Sequence, residues 1–95
     1  MVIGVLKLQL TIPENHSLKG KRSVLKRIQS RVAHQFTVAV TECGDQDLWQ
    51  SAVIGVSAVG TSSPVVEATL QNIVEFIDGM GLAQVGQCQS EILHY

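Results

Sequence analysis

With two cysteines, two prolines and 4% aromatic residues, this 95-residue chain has little of what staples, breaks or anchors a small fold. Cys43 and Cys88 are too few and too widely spaced for a disulfide framework or a structural zinc site, so a reducing, cytoplasmic setting is the expectation. The longest apolar runs are too short to span a bilayer, which argues against a membrane partner. Met1 to Leu10 has no basic leader and is interrupted by Lys7, unlike a signal peptide. No repeat or linker composition divides the chain, and residues 1–95 read as one domain, small enough to need an efficiently built core. His16, His34 and His94 show no recognised ligand spacing, so neither a metal nor a cofactor is expected. Acid is the most telling shortage: between Glu14 and Glu42 there is none.

What fills that gap is base. Residues 16–31, HSLKGKRSVLKRIQSR, hold Lys19, Lys21, Arg22, Lys26, Arg27 and Arg31, and of the seven Lys and Arg only Lys7 lies outside them. The formal net charge of -1 therefore conceals a chain polarised along its length. Leu18, Leu25, Ile28 and Val32, with Val24 beside them, recur at helical spacing and predict an amphipathic helix running to about His34 or Gln35. Lys19, Arg22 and Lys26 stripe its outer side, and Arg27 and Arg31 continue round it. Lys21 falls in the apolar sector, so its ammonium group is expected to extend towards the loop before the helix. Ser17 is the expected N-cap.

These choices work against the helix. Cations in the first turn oppose the macrodipole at roughly 0.3–1 kcal/mol each when exposed. Arg22 with Lys26, and Arg27 with Arg31, are like charges at i,i+4. Gly20 gives up about 1 kcal/mol against Ala. The total is on the order of 2 kcal/mol in a domain with about 5–15 kcal/mol of stability, which calls for a compensating anion.

The remaining elements follow from periodicity and turn chemistry. Val2 to Ile12 alternates as a strand with one core face, and Pro13 ends it. Phe36 to Cys43, rich in β-branched residues, predicts a second strand, and Gly44 to Asp47 the turn after it. Gln50 to Gly60 is apolar or small on both faces, as in a central strand. Ser63 and Pro64 read as N-cap and first residue of a second helix, buried through Val66, Leu70, Ile73 and Ile77 and stopped by Gly79 and Gly81. Leu82 to Leu93, more polar, predicts an edge strand. The order β-α-β-β-α-β specifies an α+β, ferredoxin-like sandwich: a four-stranded antiparallel sheet with two helices on one face. In strand order 4-1-3-2, Cys43 and Cys88 sit on opposite edges, too far apart for a disulfide.

The segments HSLKGKRSVLKRI and DQDLWQSAVIGVSA resemble two blocks of the YlxP-like family, small bacterial proteins of unassigned function with a ferredoxin-like fold, within a likeness covering nearly the whole chain. Genes of that family commonly lie beside genes for translation initiation and ribosome maturation, so the resemblance implies a role near the ribosome or RNA. Gly20 departs from the family, whose members usually carry an acid there that would complete a capping box with Ser17. Thr37 stands where Asn is frequent.

The leading candidate site is an anion- or RNA-binding surface made by His16, Lys19, Lys21, Arg22, Lys26, Arg27 and Arg31, with phosphates as ligands. Its rival is a solvated face partly neutralised by Glu42, Asp45, Asp47 or a neighbouring subunit. Asp47 and Trp49 are candidate interaction residues on the hairpin, although turn aspartates usually stabilise turns and a lone Trp usually packs on the core. Ile3, Val5, Val53 and Val59, with Val38 or Val40, would form an apolar patch on the open sheet face, for which a homodimer is the economical cover. The central strands lack the aromatic residues of an RNA-recognition motif. Three functions compete. The first is a non-enzymatic binder of RNA or a ribosomal particle. The second is a homo-oligomeric interaction module in which basic and acidic halves meet. The third is a phosphate-handling enzyme on the acylphosphatase fold, disfavoured because that group's glycine-rich loop with its arginine, and any nucleophile and base pair, are missing.

Overall fold

The computed structural model describes residues 1–95. The elements are β1 (Val2–Thr11), α1 (Leu18–Gln35), β2 (Ala39–Gly44), β3 (Ser51–Gly60), α2 (Ser63–Gly79) and β4 (Gln84–His94). All pairings are antiparallel and the sheet runs β2-β3-β1-β4, the order expected from the sequence. In β1 the alternation has its expected consequence: Val2, Leu6, Leu8 and Leu10 are buried while Lys7 and Gln9 are exposed. Opposite them on β3, Ala52, Ile54, Val56 and Ala58 are buried too. The two helices close this face with Leu25, Ile28 and Val32 from α1 and Val66, Leu70, Ile73 and Ile77 from α2. Each such aliphatic side chain contributes about 1.5–3 kcal/mol when fully buried. At Gly4 a Cβ would stand 2.5 Å from Val66 Cγ1, so a side chain there would push α2 off the sheet.

Several boundaries differ from those expected. Strand β2 begins at Ala39, because its ladder with β3 starts at the Ala39 and Ser57 pair and Phe36–Val38 have no partner strand. Phe36 instead ends α1, its backbone N–H donating to the Val32 carbonyl, while its ring packs edge-on against Phe76 with centroids 5.5 Å apart. The cap of α2 is Ser62, one residue before the expected Ser63, and its side chain makes no capping bond; Pro64 falls at the second helical position, still within the first turn, whose N–H groups have no intrahelical acceptor. At the other end Met80 and Gly81 close α2 by donating to Ile77 and Asp78, and Gly81 takes a positive φ of 67°.

The other face of the sheet is open. Pairing places Val59, Ile3 and Leu93 in one row across β3, β1 and β4, with Val59 65% and Leu93 43% exposed. Val38 and Val40, expected as members of this patch, pack instead against the core on the helix side. Cys43 and Cys88 are free and exposed, on strands at opposite edges of the sheet.

Candidate functional site

Helix α1 starts where two loops meet. Ser17 is extended, and its Oγ accepts a hydrogen bond from the Gly20 N–H at 2.9 Å, satisfying one of the free donors of the first turn. Asn15, in the loop after β1, donates from Nδ2 to the Ser17 carbonyl and to the Trp49 carbonyl. Gln50 Nε2 donates back to the Asn15 carbonyl at 3.1 Å. The β2–β3 hairpin is thereby tied to the cap of α1. Gly20 fits this arrangement, since a Cβ there would collide with Asn15 Oδ1.

Lys21 corrects the expected site. It is 1% exposed, and its ammonium group extends to the β2–β3 hairpin, not to the loop before the helix. Its donors are aimed at three main-chain carbonyls: Asp45 at 2.6 Å, Gln46 at 3.2 Å and Ser51 at 3.2 Å. With those three N–H bonds engaged, the Glu42 Oε2 at 3.2 Å has a charge contact with Nζ and no hydrogen bond. An ammonium group enclosed in this way has no donor left for a ligand phosphate. Lys21 fastens the hairpin to the helix and drops out of the anion-binding set.

The other six candidates, His16, Lys19, Arg22, Lys26, Arg27 and Arg31, are all exposed. None of them is paired: the Lys21 and Glu42 contact is the one ion pair in the chain. Lys26, Arg27 and Arg31 line one surface depression together with Ser23 and Ser30. The acids named as neutralising partners are engaged elsewhere or apart. Glu42 faces Lys21, Asp45 Oδ2 accepts from Ser51 Oγ at 2.7 Å, and Asp47 is exposed without an ion pair.

Trp49 departs from the usual fate of a lone tryptophan. It is 53% exposed, next to Leu48 at 52%, on the tip of the tethered hairpin. What the sequence concealed was the hairpin's hold on α1, made through main-chain oxygens that carry no sequence signal; the one hint was a lysine in the apolar sector. No group of three or more His, Cys, Asp or Glu side chains lies close enough to hold a metal. No helix is long and apolar enough to cross a membrane.

Residues 3–90 match the family described as "Protein of unknown function (DUF503)". The chain is also similar to the Bacillus subtilis (strain 168) "Uncharacterized protein YlxP", at 43% identity over 77 residues, covering 81% of this chain and 84% of that protein. Among solved structures it resembles the de novo designed protein LFR1 1, which has a ferredoxin fold, with a TM-score of 0.54 and 12% identity over 100% of this chain and 88% of that one. The de novo designed protein Foldit4 is similar at a TM-score of 0.53 and 11% identity, over 99% of this chain and 97% of that one. At such identities the structural likeness concerns fold alone. Sequence similarity along most of the chain, on a ferredoxin-like frame, shows that it belongs to the DUF503 family, that of the YlxP-like proteins.

Proposed function

We propose that this chain is a non-enzymatic binding protein that docks RNA, free or within a ribosomal particle, by its phosphates along the outer face of α1. One observation carries the reading: Lys19, Arg22, Lys26, Arg27 and Arg31 are exposed on one helix and no acid of the chain pairs with any of them. At 1.5 Å per residue the stripe from Lys19 to Arg31 is about 18 Å long, enough to follow several successive phosphates. Unpaired like charges held on one face create a positive field that an anionic polymer relieves by releasing its counterions. The test is association of the purified chain with RNA and with ribosomal particles across a salt series. Binding is expected to weaken steeply with salt, and the double variant Arg22→Glu, Lys26→Glu to lose it. Absence of association at low salt removes the reading.

A second reading draws on the open sheet face, where the exposed Val59 and Leu93 flank the half-buried Ile3. A homodimer through this face would bury it. Light scattering over a range of concentration and ionic strength decides the matter, and a monomer throughout ends it.

A further inference from the structure

Aromatic surface is scarce in this molecule, and one piece of it stands on the hairpin that is tied to the cap of the basic helix. Of the aromatic rings, Phe36 and Phe76 pack on each other, while Tyr95 follows β4 at the end of the sheet where β1 begins and β3 ends. Trp49 lies at the opposite end, on the hairpin beside the start of α1. Its backbone is joined to the Ser17 cap through the single side chain of Asn15, and Lys21 holds the residues before it through the Asp45 and Gln46 carbonyls. The indole is thus exposed on a hairpin that is itself pinned to the basic helix. Keeping a large apolar ring half in water while fixing its backbone is what a stacking platform requires.

The charges around it are mixed in an informative way. Asp47 on the hairpin is exposed, Glu14 and His16 are exposed together in the loop before the cap, and Lys19 and Arg22 are exposed on the first turns of α1. A ligand spanning hairpin and helix must offer a neutral flat face to the first and negative charge to the second. A nucleotide does so, with its base on one side and its phosphate on the other. In the interior of a duplex both faces of every base are covered by neighbours, so only an unpaired or terminal nucleotide has a face to give.

We infer that the RNA gripped by α1 presents an unpaired nucleotide, whose base stacks on the Trp49 indole while the adjoining phosphates lie on Lys19 and Arg22. This rests on the phosphate-binding reading of α1 and adds a preference to it: single-stranded segments over continuous duplex.

Trp49 is the sole tryptophan, so its emission reports on its own face. The experiment titrates the full chain at low salt with oligoadenylate long enough to cover α1, and with the same strand annealed to oligouridylate. The single strand is expected to quench the indole and the duplex to leave it nearly unchanged. Trp49→Ala keeps the Asn15 tether, which uses the main-chain oxygen, and is expected to lower affinity for oligoadenylate at least about fivefold with an unaltered salt slope. Trp49→Phe should retain most of the affinity. Equal emission changes with both RNAs, together with native affinity in Trp49→Ala, would overturn the inference while leaving phosphate binding intact, provided that Arg22→Glu, Lys26→Glu still loses both RNAs. Binding of neither RNA would remove both ideas. An emission shift that grows with protein concentration in the absence of RNA would overturn the inference in favour of an interface between copies.

Discussion

The ammonium group of Lys21 and the carboxylate of Glu42 lie 3.2 Å apart, yet it is main-chain carbonyls that take the lysine's hydrogen bonds. Removing the lysine therefore removes more than a charge pair. Lys21→Met leaves a mostly buried carboxylate without its counter-charge and removes the ammonium donor from the Asp45, Gln46 and Ser51 carbonyls, of which Asp45 keeps only the Leu48 N–H, and is expected to cost about 3 kcal/mol or more. Glu42→Gln should cost less, because the three carbonyls still hold the ammonium group. Urea unfolding midpoints measure both. Equal losses in the two variants would mean that charge attraction, and not the cage, holds the hairpin.

The Asn15 tether and the Gly20 backbone are expected to be coupled. Replacing glycine by alanine inside a helix is ordinarily worth about 1 kcal/mol. Here the new Cβ would collide with Asn15 Oδ1, and Asn15 could yield only by releasing the Trp49 and Ser17 carbonyls. Gly20→Ala should accordingly bring no gain in the native chain and a gain of about 1 kcal/mol in an Asn15→Ala background. The same effect in both backgrounds would show that Asn15 swings away freely.

Much of this was legible because strands and helices announce themselves by period. The alternation of Val2 to Leu10, the helical spacing of Leu25, Ile28 and Val32, and the Ser17 cap depend on neighbours close in sequence, and each lies where its pattern placed it. Lys21 was legible only in part. Its place in the apolar sector showed that it was special, but its partners are carbonyls more than twenty residues away, and a carbonyl looks the same whatever residue bears it. Phe36 and Val38 carry strand-like side chains, yet a strand also needs a partner, and the β3 ladder reaches only to Ala39. For Trp49, composition offered a general tendency to burial, which the loop tether overrode.

The thiols supply a check on topology. Cys88 pairs with Leu8, a helix-facing position, whereas Cys43 Sγ lies over Gly55, which pairs with the outward-facing Lys7. The two sulfurs thus belong to opposite edges and opposite faces. A thiol reagent should titrate both cysteines in the folded chain, since both are exposed, and oxidation should produce no intramolecular disulfide. Formation of one within a monomer would contradict the strand order.

Arg22→Glu is expected to move stability and binding in opposite directions. Arg22 and Lys26 are exposed like charges one turn apart, and a glutamate at 22 converts their repulsion into a pair of the favourable orientation, a gain on the order of a few tenths of a kcal/mol at each step. If the stripe binds phosphate, the same change lowers RNA affinity and reduces the salt slope by roughly 0.7–0.9 for each phosphate no longer neutralised. Thermal unfolding gives the first quantity and a salt-series titration the second. A position at which the native residue is worse for the fold and better for the ligand has a use beyond folding. A variant with raised stability and undiminished RNA binding would instead make Arg22 ordinary surface, leaving Lys26, Arg27 and Arg31 to carry any contact with phosphate.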